Sequence, residues 1–401
     1  MKAAELDAQD PLAGFRERFL PTDEPMHAYL DGNSLGRPLR RSQEDLSSFV
    51  GGEWAERLIR GWTDGWMAWP ERIGDALGAA MLGAVPGQTV VADSTSVLLY
   101  KLARAAVDLD PARTEIVVDT DNFPTDRYIA EGIAAERAMT LRWIHSDPES
   151  GVTSDQVAEV LSDRTSLVLL SHVAYRSGYL ADMDAITRQV HDAGALMLWD
   201  LSHSVGVIPV QLDACGVDLA VGCTYKYVNG GPGAPAFAYV RRGLQERITQ
   251  PIWGWLGRTD SFEMEQGYVP APGIRRIVSG TPPIVSMIPV RAGIDLIAEA
   301  GIDAIRRKSI ALTEFAIEVV DSWPSELGVR LATPRDPERR GGHITVCRPD
   351  FRTVNEHLWG EGVIPDFRAP DGIRIGLSPL STTFAETLTG LEILRSTAEN
   401  R

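Results

Sequence analysis

The sequence predicts an α/β protein built on a mainly parallel sheet whose strands are covered on both faces. Two observations carry this reading. Through the middle of the chain, short β-rich runs alternate with helical patterns, and the runs are continuously apolar rather than alternating. A strand that is apolar on both sides must be buried on both sides, which is the situation of a parallel sheet flanked by crossover helices.

The elements follow in order. Thr89–Ala92 (TVVA) reads as a strand, and residues 96–107 read as a helix with apolar positions at Leu98, Leu99, Leu102 and Ala106. Glu115–Asp119 (EIVVD) is a strand, 125–138 a helix and Thr140–Ile144 a strand. Residues 154–161 form a helix with Ser154 in the N-cap position. The run 166–171 (SLVLLS) is an apolar strand, 183–193 a helix stopped by Gly194, and 195–199 (ALMLW) a strand. Residues 267–283, rich in Gly and Pro, read as an extended loop. After it, 285–300 and 302–323 look helical, and 342–347 and Gly372–Gly376 look like strands, giving a second α/β region. The segment before about Ser47 is expected to pack with that second region. In sheets of this kind ligands gather at the carboxyl ends of the strands. Chemistry is therefore expected just after Ala92, Asp119, Leu170, Trp199 and Cys223.

Composition narrows the function classes. Hydrophobic residues make up 44% of 401, enough for a sizeable core and too many for a disordered chain. The formal charge of −16 repels phosphate backbones and anionic lipid, so neither nucleic acid nor a membrane surface is an expected partner. Three cysteines without a CxxC pair suggest buried thiols in a reducing compartment rather than a disulfide framework. The polar, acidic start MKAAELDAQD has no signal-peptide pattern, and no apolar run is long enough to span a bilayer. A soluble cytoplasmic protein is the expectation. No cluster of His, Cys and Asp has metal-ligand spacing, so no metal is expected.

The most informative stretch is 198–240, LWDLSHSVGVIPVQLDACGVDLAVGCTYKYVNGGPGAPAFAYV. Asp200 closes one strand and His203 follows three residues later. Tyr225 and Lys226 close the next strand, ahead of a glycine-rich loop over 229–233. A lysine after such an apolar run is partly buried, and burial lowers an amine pKa as a Schiff-base amine requires. A lysine snorkelling at a strand end is the ordinary alternative. Asp200 can sit against a pyridine nitrogen and keep it protonated, or simply cap a turn. Asp93-Ser94-Thr95-Ser96 lies between a strand and a helix, where hydroxyls and free N–H groups form an anion site; N-capping explains one of these residues but less readily three in a row. No GxxxxGK[ST] or GxGxxG motif competes for that role.

The segments WDLSHSVG and GCTYKYVNGGPGAPAF resemble the signature of the kynureninases, a branch of the fold-type-I pyridoxal-phosphate enzymes related to class-V aminotransferases. Four more segments are similar to that family in the same order: YLDGNSLG (29–36), NFPTD (122–126), WGWLG (253–257) and SGTPPI (279–284). The resemblance runs from about residue 29 to residue 378. It implies the fold-type-I architecture: a large domain with a mainly parallel seven-stranded sheet over 48–290, a smaller α/β domain over 291–401, and an N-terminal segment, 1–47, packing with the small domain.

It also implies roles. Lys226 would carry pyridoxal 5′-phosphate as a Schiff base, with Asp200 on the pyridine nitrogen and His203 beside the cofactor. Tyr225 would reach the phosphate and move protons, provided its pKa falls there. Phe123 would stack on the ring, with Asp126 near its hydroxyl side. Thr95 and Ser96 would hold phosphate, and Ser171 would line the site. Trp255 and Thr281 would complete the phosphate site from the other subunit of a homodimer. Arg374 would clamp the substrate carboxylate, and Asn33, Ser34 and Trp62 would line the substrate side. Each residue also has a plain reading: Phe123 and His203 as core, Trp255 as an interface aromatic, Arg374 in a structural ion pair, Asn33 and Ser34 in a turn. Trp62, with Trp66 and Trp69, stands where animal members tend to have a histidine, which leaves the preferred ring substituent open.

The implied activity is hydrolysis of L-kynurenine or 3-hydroxykynurenine to the aryl acid and L-alanine in tryptophan catabolism. A related enzyme acting on a modified kynurenine is the alternative. Cysteine desulfurases share the fold but need a cysteine on a mobile loop, and Cys215, Cys223 and Cys347 all fall on predicted core or strand.

Overall fold

The computed structural model describes residues 2–400. Its strands, in chain order, are β1 (Ala28–Tyr29), β2 (Thr89–Ala92), β3 (Glu115–Asp119), β4 (Thr140–Ile144), β5 (Thr165–Ser171), β6 (Leu196–Asp200), β7 (Leu219–Gly222), β8 (Ala236–Val240), β9 (Arg330–Leu331), β10 (His343–Cys347), β11 (Val363–Ile364), β12 (Asp366–Arg368) and β13 (Gly372–Gly376). Seven of them form the large sheet, in the order β2-β8-β7-β6-β5-β3-β4. All neighbours are parallel except β8, which runs antiparallel to both β2 and β7.

The apolar strands are explained by what covers them. Val117, Val168, Leu170, Met197 and Trp199 belong to one hydrophobic core. Their chain neighbours Ile116, Val118, Leu167, Leu169 and Leu198 belong to a second core on the other face. Period-2 alternation thus sorts consecutive apolar residues to opposite sides, and both sides are dry.

Helices Thr95–Val107 and Pro124–Arg137 pack against each other, and the first also lies on β5, β7 and β8. A second, antiparallel sheet of order β12-β13-β10-β9 has its own core with helices Ile302–Asp321, Phe351–Gly360 and Phe384–Glu399. The N-terminal residues join this layer: β1 pairs in parallel with β11, and the Asp7 carboxylate accepts the Phe384 backbone N–H at 2.8 Å.

Three expectations are corrected. The N-cap of helix Ser154–Val160 is Thr153, not Ser154; its hydroxyl and the Gln156 side chain form a reciprocal capping box. The stretch 267–283 is not wholly extended but contains a short 3-10 turn, Gly273–Ile277. Cys223 and Cys347 are buried, whereas Cys215 is only half-buried.

Candidate active site

The loops leaving the carboxyl ends of β2, β3, β6 and β7 enclose a cavity of about 180 Å³. It is lined by Ser94, Thr95, Ser96, Phe123, Thr125, Asp126, Asp200, Ser202, His203, Tyr225 and Lys226.

Lys226 reaches this cavity through a forced turn. The Asn229 N–H donates to the Lys226 carbonyl at 2.9 Å and the Gly230 N–H to the Thr224 carbonyl at 2.9 Å. Asn229 adopts φ +60°, a region that Asn tolerates better than most side chains. From outside, the Gly36 N–H donates to the Tyr225 carbonyl at 2.8 Å. A Cβ at Gly36 would lie 2.3 Å from the Lys226 carbonyl oxygen, so only glycine lets the two backbones approach.

The Lys226 side chain is 7% exposed, and its Nζ lies 3.2 Å from His203 Nε2. Burial is the largest influence on the amine and pushes its pKa down, against the opposing pull of Cys223 and Asp200. His203 is held well below its usual range by burial and then by the Lys226 charge, so it stays neutral. Asp200 is anchored by the Ser202 N–H, which donates to Oδ1 at 2.8 Å. Asp126 is fully buried beside Asp200, and desolvation followed by that neighbouring charge raises its carboxyl well above the ordinary range.

Phe123 stands edge-on to Tyr175 at 5.5 Å, with Lys226 Nζ 5.9 Å from the Phe123 ring centre. Its loop is pinned by Asn122: the Phe123 N–H and the Ser171 hydroxyl both donate to the Asn122 side-chain oxygen at 2.8 Å. Ser171 thus stands just behind the cavity wall and orders the loop in front of it. Ser94 caps helix Thr95–Val107 with no side-chain hydrogen bond, which leaves the hydroxyls and first-turn N–H groups free to face an anion.

Arg374, in the middle of β13, is 1% exposed and points at the same place from the second sheet. Its guanidinium donates to Asp366, to the Tyr175 carbonyl at 2.8 Å and to the Ser34 hydroxyl at 2.8 Å, and lies 3.5 Å from His203 Nε2. The Ser34 hydroxyl in turn donates to Asp366 at 3.1 Å. Asn33 is fully buried but turned away, its amide oxygen set against Gly376.

Besides Asn33, three more expected residues are not brought to this cavity by the chain itself. Trp62 and Thr281 line a separate apolar groove of about 490 Å³ together with Phe49, Trp54, Leu58, Ile59 and Val285. Trp255 is partly exposed, edge-on to Phe262 at 5.8 Å. The Tyr225 pKa also departs from expectation: the neighbouring Cys223, and burial after it, push the phenol up rather than down. Sequence reasoning gave no role to Asn122, Tyr175, Asp366 or His343. His343 is wholly buried with its ring centre 5.8 Å from that of His203, and burial pushes it down to about 3.

The model of the class-V aminotransferase family matches residues 80–360. A curated kynureninase of Burkholderia pseudomallei (strain 1106a) is 43% identical over 98% of this chain and 94% of its own length. One from Pseudomonas fluorescens is 42% identical over 97% and 93%. The chain belongs to the kynureninase family. Its fold extends beyond that family: a solved cysteine desulfurase from Thermococcus onnurineus NA1 superposes with a TM-score of 0.84 at 19% identity, covering 97% of this chain and 98% of that one. A cystine C–S lyase gives 0.80 at 18% identity, covering 92% and 97%. In this kynureninase-family chain the Lys226 cavity faces Arg374 across His203.

Proposed function

We propose that this protein is a pyridoxal-phosphate-dependent hydrolase that cleaves the Cβ–Cγ bond of L-kynurenine, and of 3-hydroxykynurenine, to the aryl acid and L-alanine in tryptophan catabolism. The observation that carries the reading is the convergence on one cavity, in a chain similar to a kynureninase over 98% of its residues, of a desolvated lysine, a paired carboxylate, an aromatic face and an open helix N-terminus. The residues fit the cofactor. Asp126 and Asp200 crowd two carboxyls at one end, an arrangement that welcomes a protonated ring nitrogen. Ser94, Thr95 and Ser96 offer an anion cradle at the other.

Bound there, pyridoxal phosphate supplies an electron sink for the pair released when the α-proton leaves. The protein does the rest. Burial lowers the proton affinity of the Lys226 amine, which suits it to take up and return the α-proton. Asp200, fixed by Ser202, holds positive charge at the ring nitrogen. Phe123, on its Asn122 anchor, sets the plane of the ring. Tyr225, kept protonated, serves as a donor, to phosphate or to the Cβ that remains when the aryl acid departs after water has added at Cγ. Arg374 presents a carboxylate-sized target, with Ser34 and Asp366 orienting its fork.

The working unit is a homodimer, in which Trp62, Trp255 and Thr281 of one copy complete the cavity of the other. Leu58 and Ile59, 59% and 77% exposed beside the apolar groove, support this, since a solitary chain seldom leaves such a surface open to water. Three unpaired cysteines fit a cytoplasmic location.

The test is to mix cofactor-saturated protein with each substrate and follow release of the fluorescent aryl acid. Turnover that falls by about three orders of magnitude or more in Lys226→Ala is the expected result. Cofactor uptake without release of either acid would overturn the reading.

A further inference from the structure

Lys101 belongs to helix Thr95–Val107 and is fully buried, yet it is absent from the cavity wall. Its Nζ pairs with Asp93 at 2.6 Å and donates to the Ile277 carbonyl at 2.9 Å. Asp93 is the residue from which the candidate phosphate loop, Ser94-Thr95-Ser96, departs. It holds φ +43°, a left-handed conformation that strains a non-glycine residue. Its carbonyl accepts the Ala236 N–H at 2.9 Å. The main chain of Asp93 is thus pinned to β8, and its side chain is drawn back along the helix to a cation. Asp93 does not line the cavity, although the three residues after it do.

Electrostatics makes this placement consequential. A free carboxylate one residue ahead of an anion cradle would repel a phosphate dianion at close range, in a site too enclosed for full screening. An ammonium that is fully buried, and among the described residues has no carboxylate partner besides Asp93, is costly unless it compensates a charge the loop needs.

We infer that Lys101 is a positioning residue for the cofactor phosphate: it holds the Asp93 carboxylate away from the Ser94–Ser96 cradle, cancels its charge and fixes the strained turn that aims the cradle. The inference rests on the reading that pyridoxal phosphate occupies the Lys226 cavity. Lys101 touches neither cofactor nor substrate; it acts through Asp93.

The experiment titrates cofactor-free protein with pyridoxal phosphate and, separately, with pyridoxal, following quenching of tryptophan fluorescence, for wild type, Lys101→Met and Lys101→Met/Asp93→Asn. In Lys101→Met the dissociation constant for pyridoxal phosphate should rise at least about tenfold, while that for pyridoxal stays within about twofold. Removing the stranded charge in the double variant should restore pyridoxal phosphate affinity to within about threefold of wild type. Lys101→Gln, uncharged but able to hydrogen-bond at both ends, carries the same expectation if the methionine variant does not fold. Unchanged pyridoxal phosphate affinity, or an equal loss for both ligands, overturns the inference, the latter by showing a purely structural lesion. Wild-type protein that takes up neither ligand would instead sink the reading of the preceding subsection.

Discussion

Lys226 is chemically useful because it is out of water and close to groups that cannot all be charged at once. His203 and His343 illustrate the same pressure, since both stay neutral in the crowd of Lys226 and Arg374. His172 is simpler to test, as it lies behind the sheet end with its Nδ1 2.9 Å from the Ser204 hydroxyl. Burial pushes it down to about 3. The unfolded chain protonates this histidine near pH 6.5 and the folded one does not, so it withdraws stability as pH falls through 6.5 toward 3. At pH 5 that loss is about 2 kcal/mol. His172→Gln removes it, so thermal melts of the variant should fall less than wild type between pH 7.5 and pH 5. A parallel decline would contradict the assignment. The residues legible in advance were those whose type and position are both unusual: a lysine after an apolar run, an aspartate at a strand end, an arginine between two isoleucines. Asn122, Asp366 and His343 were not legible, because their meaning depends on partners brought from distant strands.

Among the elements, the closest fit is between helix Ile284–Ala300 and the loop after Lys226. A Cβ on Gly293 would come within 1.8 Å of the Val228 carbonyl oxygen. Gly293→Ala must therefore lift the helix or the loop. We expect a stability loss of about 2 kcal/mol or more together with weakened cofactor binding, read by melting and by cofactor titration. Thr153→Ala, by contrast, removes a cap far from the cavity and should cost about 1 kcal/mol with binding unchanged. Strand Glu115–Asp119 was legible to the residue, since burial on both faces leaves a sharp apolar signature; Thr140–Ile144 was placed to the residue as well, although it is the edge strand and only Ile144 in it is buried. Strand direction was not. Ala236–Val240 is as apolar as its parallel neighbours, and nothing in its composition announces that it runs the other way. The cap at Thr153 was missed by one residue, because adjacent Thr and Ser compete equally until the Gln156 partner is considered.

For the whole molecule, a single chain holds Trp62, Trp255 and Thr281 away from the Lys226 cavity, and only the family resemblance, not the residue pattern, pointed Trp255 and Thr281 to a second subunit. Ile59→Asp, which places a charge beside the apolar groove, should yield monomers in sedimentation or light scattering and a large loss of turnover. Dimers with full activity would refute the shared-site arrangement. The chain ends meet in a comparable way. The strand at Ala28–Tyr29 has its partner at Val363–Ile364, Asp31 bridges to Gly376, and Gly36 is clamped on the backbone of Tyr225. During synthesis residues 28–31 thus emerge well before their partners at 363–376 and find their place only once those strands exist. A nascent chain that has not yet reached residue 363 would carry Lys226 without the outer support that Gly36 lends it, so the proposed competence to hold the cofactor arrives late in synthesis.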